Sequence, residues 1–528
     1  MKQIKYIYAL LVVASLTITS CVDLDSTTFS AKDTETFFNT ENDIASAIVV
    51  VYDALAKGPY EFDTTNNLSG SVYDVPTILL GSGTHVAWDT RDHGNNNFSA
   101  QTKILETMYT GSYFGISKAN LVLEKIQSIE MTEEAKNKYI AETRFLRGLF
   151  YFNLVQYFGG VPLITNTYDY NYASTEIARS SIREVYDFIV ADLEFAETYL
   201  DAHDFDGAFS SGRATGLGAS GLLSKVWLTR AGFPLMDTEI YNGKTAYENA
   251  LTYAQKVVDS GEYQLQDDYG KVFATTNENN REWLFSVQFG PNENDQGNWG
   301  GWHNTKSTFY NDPFGEGYGR VYLTEEMIDA WHEEDPRSKF IVKPLNNKGK
   351  EEKFKHRWTT RKFRFSEENF SKNQTSVNAP VLRLADIYLV IAEAENEINN
   401  GPTDLAFQMI NEVRKRARNG VPSDIDIDNT PSDYPMDLQS DDAEWNTYEL
   451  FKQNIIWERA RELCMEGLDR FDLVRSGKYM ELTQDAAHLK SNGGKGKGFD
   501  PLPHHVLMPL PLIALRNNSA ITENNQGY

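Results

Sequence analysis

A single stretch of aromatic and aliphatic residues, at positions 132–165, most limits what this chain can fold into. It reads TEEAKNKYIAETRFLRGLFYFNLVQYFGGVPLIT. Thr132 is a favourable N-cap, and the two glutamates that follow it place negative charge in the first turn, where the helix dipole favours it. From Phe145 to the Gly-Gly pair that ends the helix almost no polar face is left, so the helix must be buried on several sides. The sequence therefore predicts a central helix with other helices packed around it.

The same stretch is a poor candidate for a membrane-spanning helix, because it is too short and carries too many polar groups. Those groups are Arg144, Arg147, Asn153 and Gln156. Other stretches have apolar residues at helical spacing or carry helix start and stop signals, which indicates a mainly α-helical chain. The predicted helices cover residues 42–56, 107–127, 181–200, 213–231, 245–260, 384–399, 403–418 and 448–475.

The N-terminus has the features of a lipoprotein signal peptide, which we assign to residues 1–20. Lys2 and Lys5 give it a positive start, and the apolar run that follows is too short to span a bilayer. The run ends in Ile-Thr-Ser-Cys, which resembles a lipobox with Cys21 as the lipidated residue. An ordinary cleavage site followed by an incidental cysteine is the alternative. We expect residues 21–41 to form a lipidated tether, because several acyl chains on one residue give stable membrane anchoring.

The stretch 448–475 combines helical spacing with a high density of charge. Glu458 and Arg461 form one pair at i,i+3 spacing, which stabilises a helix. A catalytic carboxylate cluster is one interpretation of this density. A buried ion network that fixes helix packing is the interpretation we favour, so we expect Asp469 and Arg470 to be structural residues.

Local motifs for catalysis or for cofactor binding are absent from the sequence. There is no H-E-x-x-H, no G-x-S-x-G and no Walker A motif, and the nine histidines are not at metal-ligand spacing. A G-x-G-x-x-G at 216–221 lacks a preceding strand, so we interpret its glycines as small residues for close helix packing. We predict no catalytic residue, no metal and no cofactor. The formal net charge of −25 argues against nucleic acid as a direct partner.

Four segments, in order along the chain, carry a resemblance to a known family. The central stretch AETRFLRGLFYFNLVQYFGGVPLIT is similar to the signature helix of the SusD/RagB family of surface lipoproteins, which capture nutrients beside an outer-membrane transporter. Three further segments match the same family in the expected order. They are LRLADIYLVIAEAENEIN at 382–399, IIWERARELCMEGLDRFDLVRSGK at 455–478, and LMPLPLIALRNNSAITENNQGY at 507–528.

The resemblance implies a mainly α-helical, tetratricopeptide-like scaffold of helical hairpins with an inserted loop-rich, partly β binding subdomain. The repeat consensus itself is not visible in the sequence, so this assignment rests on the family. We place a SusD-like N-terminal helical region at 42–261, a loop-rich insert at 262–383 and a SusD-like C-terminal helical region at 384–528. The insert contains a strand-like run at 283–289, in which we expect Trp283 to belong to the core.

The resemblance also implies a function. The chain is expected to be a surface-exposed lipoprotein, anchored in the outer membrane through Cys21 and facing the cell exterior. It would capture oligosaccharides and deliver them to a SusC-like TonB-dependent transporter, without being an enzyme. Two alternatives stay open, a peptide-uptake protein of the RagB type and a secreted glycoside hydrolase. The hydrolase needs two carboxylates at a defined separation, which the sequence does not reveal.

Aromatic residues beside short polar groups, in two loop regions, are the candidate ligand contacts. A pyranose packs its apolar C–H face on an aromatic ring, and its hydroxyl groups pair with Asp, Asn and Arg. The irregular stretch 63–99 and the insert both have this composition. The alternative interpretation is that these aromatic rings fill the core of a loop-rich region. We expect the fold to bring Trp88 and Trp302 to one surface. The candidates are Trp88, Asp89, Arg91 and Asn96 in the first region, and Trp299, Trp302, Asn304 and Tyr310 in the second.

Overall fold

The computed structural model describes residues 37–57, 80–82, 96–167, 176–232, 243–290, 321–342, 358–360, 362–363, 376–420, 431–484 and 500–528. These residues are mainly α-helical. The helices are α1 (Glu41–Lys57), α2 (Lys103–Lys125), α3 (Glu133–Phe158), α4 (Ile182–Tyr199), α5 (Gly216–Arg230), α6 (Gly243–Ser260), α7 (Tyr269–Phe273), α8 (Glu325–Asp329), α9 (Leu384–Asn399), α10 (Asp404–Arg418), α11 (Tyr448–Leu463), α12 (Asp469–Arg475), α13 (Tyr479–Thr483) and α14 (Leu512–Asn517).

Short antiparallel strand pairs interrupt the helices. The strands are β1 (Leu80–Ser82), β2 (Phe205–Asp206), β3 (Phe209–Ser210), β4 (Trp283–Val287), β5 (Val321–Leu323), β6 (Ile341–Val342), β7 (Thr359–Thr360) and β8 (Ala379–Arg383). Within the described ranges they pair as β1–β5, β2–β3, β4–β8 and β6–β7. Trp283 in β4 is buried, which confirms its predicted place in the core.

The helices pack in a serial array. Each of α1 to α5 packs against the next helix, α6 packs against α9, and α9 packs against both α10 and α11. Strand β4 follows α6 and pairs with β8, which leads directly into α9, so the pair closes the segment inserted between these two helices. This arrangement confirms the expected tetratricopeptide-like scaffold of helical hairpins.

Helix α3 is the buried centre that the sequence predicts. The Thr132 hydroxyl accepts a hydrogen bond from the N–H of Ala135 (3.2 Å), and Gly159, with φ of +69°, ends the helix. Every residue from Phe145 to Phe158 is buried. The neighbouring helix α2 approaches so closely that a Cβ on Gly115 would lie 2.2 Å from the Phe150 ring, so only glycine fits there.

The prediction of one continuous helix over 448–475 is wrong, because two helices, α11 and α12, replace it. Between them Met465 and Gly467 have φ of +61° and +80°, values that no α-helix contains. Lys362 stabilises this break, since its ammonium donates to the carbonyl oxygens of Glu462 (3.1 Å) and Cys464 (2.8 Å). A lysine about a hundred residues away in sequence therefore binds carbonyl groups that the helix leaves open.

The charges of α11 do form a buried ion network, as expected. Its centre is Arg383, which donates to Glu282 (2.9 Å), Glu462 (2.7 Å) and Glu466 (2.6 Å). Burial alone would raise the pKa of Glu462, but the surrounding guanidinium groups outweigh burial and lower this pKa to about 2. Within the described ranges, six cationic and five anionic side chains make up the network. They are Arg337, Lys362, Arg383, Arg414, Arg416 and Arg461 with Glu282, Asp335, Glu458, Glu462 and Glu466.

The glycines of the G-x-G-x-x-G motif serve helix packing, as the sequence analysis proposes. Gly216 begins α5, and Thr215 caps the helix by accepting from the N–H of Gly218 (3.0 Å). A Cβ at Gly221 would lie 2.5 Å from a methyl carbon of Leu284 in β4. The absence of that atom lets α5 lie against the β4–β8 pair.

Candidate ligand-binding site

The two stretches that carry the predicted ligand contacts adjoin one small strand pair. Strand β1 ends at Ser82, six residues before Trp88, and β5 begins at Val321, after the stretch that contains Trp299 and Trp302. The strands are antiparallel, with Ser82 opposite Val321. The end of β1 and the start of β5 therefore lie at the same end of the strand pair, although they are more than two hundred residues apart in sequence.

Of the predicted contact residues, only Asn96 lies within the described ranges. Trp88, Asp89 and Arg91 belong to the undescribed stretch 83–95, and Trp299, Trp302, Asn304 and Tyr310 to the undescribed stretch 291–320. Cys21 also lies outside the described residues.

Asn96 is buried, and the hydroxyl of Tyr479 donates a hydrogen bond to its side-chain oxygen (2.9 Å). Its φ of +55° is one that asparagine tolerates better than most residues. A side chain held in this way fixes the end of the loop, whereas a ligand contact requires an accessible side chain. The ligand contact of Asn96 stays a prediction, and we leave Asn96 out of the proposed platform because its side chain is buried.

The C-terminal part of the chain holds this end of the first loop. The Phe98 ring lies 4.7 Å from the His505 ring, and Arg470 lies 4.7 Å above the Tyr479 ring while donating to the His505 carbonyl (2.5 Å). Burial, with the nearby His504 and Arg470, lowers the pKa of His505 to about 3, so its ring is neutral at physiological pH. Arg470 thus supports packing around the loop end, which agrees with its predicted structural role.

Asn378 clamps the two ends of the second loop region together. Its backbone N–H donates to Glu278 (2.7 Å), its side-chain oxygen accepts from the N–H of Phe289 (2.8 Å), and its side-chain amide donates to Gln288 (3.0 Å). Burial raises the pKa of Glu278 to about 7, although the hydrogen bond from Asn378 favours the charged form. These contacts join the end of β4 to the start of β8, where the inserted segment leaves and re-enters the helical scaffold.

These anchoring residues lie far apart in sequence. Tyr479 and Asn96 are 383 positions apart, and Asn378 and Phe289 are 89 positions apart. Neither Tyr479 nor Asn378 lies in a local motif, so no signal in a single sequence marks their roles.

Within the described ranges, no set of three or more His, Cys, Asp or Glu side chains is arranged to bind a metal ion. In the same part of the chain, no helix is both long enough and apolar enough to cross a bilayer.

Comparisons with known proteins agree with this architecture. The model of the SusD family matches residues 342–528, and a second model, described as "Starch-binding associating with outer membrane", matches residues 24–228. The chain belongs to the SusD family. The two matched segments together span most of the sequence and include all four segments on which the resemblance was based.

Individual members of the SusD family align with the chain over different lengths. SusD-like protein P2 of Formosa agariphila is 24% identical and aligns over 100% of both chains. Starch-binding protein SusD of Bacteroides thetaiotaomicron is 24% identical over 35% of this chain and 30% of its own length. The crystal structure of a SusD homolog from Bacteroides thetaiotaomicron superposes with a TM-score of 0.77 at 25% identity, covering 94% of this chain and 98% of that one. The matches support glycan binding and association with the outer membrane as general properties of this chain.

Proposed function

We propose that this protein is a surface-exposed lipoprotein that captures oligosaccharides and delivers them to a SusC-like TonB-dependent transporter. The observation that carries the proposal is the pairing of Ser82 with Val321, because the first predicted binding loop follows Ser82 and the second precedes Val321. Trp88 is only six residues beyond Ser82, a reach of at most about 20 Å for an extended chain. The pairing thus favours a common platform for rings that are distant in sequence.

The residue types of the two loops suit a neutral or weakly polar sugar chain. Trp88, Trp299 and Trp302 offer flat apolar faces for the C–H faces of pyranose rings. Asp89 and Asn304 accept hydrogen bonds from hydroxyl groups, and Arg91 donates them. A platform of this kind binds without breaking a covalent bond, and an anchored helical scaffold is well suited to position it.

The proposal is tested by comparing ligand classes on the purified full chain. We expect binding to members of a glycan array, no comparable binding to a panel of peptides, and no release of reducing ends from any glycan that binds. Peptide binding without glycan binding would instead indicate a peptide-uptake protein. Sustained release of reducing ends from a preparation free of hydrolase contamination would show that the protein is an enzyme.

The lipid anchor gives a separate prediction. If Cys21 carries the acyl chains, Cys21→Ala should move the protein from the membrane fraction to the soluble fraction, because the variant has no side chain to which the acyl chains can be attached. Cys464→Ala is the matched control, since Cys464 lies buried in the helical scaffold and should leave the distribution between fractions unchanged. Retention of the Cys21→Ala protein in membranes after a carbonate wash would contradict the assignment. In intact cells, protease accessibility of the wild-type protein tests the outward orientation.

A further inference from the structure

A cavity of about 470 Å³ is lined by residues that belong to neither predicted binding region. Its walls are the segment after α8, the segment 434–445 that precedes α11, and α11 itself, and every lining residue belongs to the described part of the chain. Its size is within the range of small-molecule sites. The connection from α10 to α11 that supplies one wall is long, and long connections in compact domains are commonly functional.

One wall of the cavity is held rigidly by α10. The side chain of Asn411 both donates to the carbonyl of Leu438 (3.0 Å) and accepts from its N–H (2.7 Å). Arg414 donates to the carbonyl of Met436 (3.1 Å), and Arg418 donates to that of Pro435 (2.6 Å). The wall is therefore formed before any ligand arrives, which reduces the entropy that binding would cost.

A stacked pair of rings gives the cavity an aromatic plate. The rings of His332 and Tyr434 lie 3.9 Å apart with 21° between their planes, and the His332 side chain is 44% exposed. The backbone N–H of Glu334 donates to Nδ1 of His332 (3.2 Å), so the neutral ring carries its proton on Nε2. That N–H has no acceptor among the described residues, which makes it a donor for a ligand hydroxyl group.

Further polar groups face the cavity from α11 and from the wall. Arg461 donates through Nε to the carbonyl of Ala330 (2.7 Å) and through Nη1 weakly to Glu458 (3.4 Å). Its second terminal nitrogen, Nη2, has no partner in the described part of the chain. Asp442 lines the same space and uses only one carboxylate oxygen, Oδ2, to accept from the N–H of Gln439 (2.7 Å). Donors and acceptors thus lie beside an aromatic plate, as sugar hydroxyl groups require.

We propose that this cavity is a second carbohydrate-binding subsite, which takes one neutral pyranose unit against the His332–Tyr434 plate. Five carboxylates and three guanidinium groups line it, so an acidic sugar would meet net negative charge. Asp442, which lies outside the buried ion network, instead suits a hydroxyl donor. The choice of a sugar as the ligand class rests on the proposed function, but the cavity shares no residue with the proposed platform.

The test is an NMR titration that monitors the side-chain signal of His332. The protein has nine histidines, so labelling histidine with ¹³C and ¹⁵N gives few signals, and the His332 signal is the one lost in His332→Ala. The purified full chain is titrated with neutral methyl glycosides and disaccharides of glucose, galactose, mannose and xylose, and with glucuronic acid. We expect at least one neutral sugar to shift the His332 signal saturably, and glucuronic acid to bind more weakly than its neutral counterpart.

Two variants separate this subsite from the platform and from general effects. Tyr434→Ala should weaken the binding reported by His332 at least about tenfold, because it removes half of the plate. Tyr199→Ala is the matched control, since Tyr199 also belongs to a close aromatic pair, with Phe195 at 4.5 Å, and is 41% exposed. It should leave the titration unchanged. The double variant Trp88→Ala/Trp302→Ala should also leave the His332 response unchanged.

The outcomes distinguish failure of this subsite from failure of the proposed function. A silent His332 signal, in a protein that still binds an oligosaccharide in calorimetry, would overturn the subsite and leave the proposed function standing. A response to glucuronic acid alone would overturn the choice of a neutral ligand. Loss of the His332 response in the Trp88→Ala/Trp302→Ala variant would show that the signal reports the platform instead.

Discussion

Replacing Arg383 with methionine is expected to destabilise the protein by at least about 3–5 kcal/mol, or to prevent folding altogether. Arg383 is almost completely buried and binds the carboxylates of Glu282, Glu462 and Glu466. Removing it leaves three buried carboxylates with fewer cationic partners and fewer hydrogen bonds. Methionine keeps much of the side-chain volume, so the effect measured is the loss of the charge and its hydrogen bonds.

The measurement is urea-induced unfolding of the two purified proteins, followed by circular dichroism. Lys103→Met is the matched control, because Lys103 lies at the surface and pairs with Glu106 in the same helix at i,i+3 spacing. Such exposed pairs contribute at most about 1 kcal/mol, so this variant should unfold at nearly the parent concentration of urea. An unfolding midpoint for Arg383→Met equal to that of the parent would refute a structural role for the network.

The helical scaffold was predictable where its signals are local. Thr132, Ser181 and Thr403 cap α3, α4 and α10, and each begins its helix where the sequence indicates. Such caps act within one turn, so a single sequence contains all the information that they need. The burial of α3 was equally predictable, because its own residues leave no polar face.

The break between α11 and α12 could not be predicted in the same way. The sequence around Cys464 continues with helix-forming residues, and only Gly467 suggests an end. What stabilises the break is the ammonium of Lys362, whose binding to two carbonyl groups depends on the tertiary fold. Helix propensity and periodicity depend on residues that are close in sequence. Here Lys362, which is distant in sequence, stabilises the local conformation of the break.

The candidate site was also predictable only where its signal is local in sequence. Its composition marked two loop regions, because tryptophan among Gly, Asn and Asp is unusual in a packed core. The pairing that relates the two regions involves β1 and β5. These strands have three residues each and are too short to produce a periodic signal. Asn96 lies in the same polar stretch as its neighbours but is buried against Tyr479, and composition alone does not distinguish such an anchoring side chain from a ligand contact.

The second large effect is expected when a tryptophan of the proposed platform is truncated. Trp88→Ala and Trp302→Ala should each weaken binding of the cognate glycan by about ten- to thirtyfold in calorimetry, because truncation of a central aromatic anchor costs more than 1 kcal/mol and often about 2. The two losses should be less than additive if both rings contact the same sugar chain, since the first truncation already weakens the contact of the second. The pairing of Ser82 with Val321 is the reason to expect that both rings contribute.

The thermal stability of each variant distinguishes a ring that contacts the ligand from a ring that belongs to the core. Rings on a platform face solvent in the free protein, so Trp88→Ala and Trp302→Ala should unfold at nearly the parent temperature. Trp283→Ala is the contrasting control, because Trp283 is a buried core residue in β4, and loss of such a ring typically costs about 3–5 kcal/mol of stability. If the two platform variants unfold as readily as Trp283→Ala, their rings belong to the core. If both are stable and bind the glycan like the parent, the sugar is held by other residues, and the strand pair does not mark the binding surface.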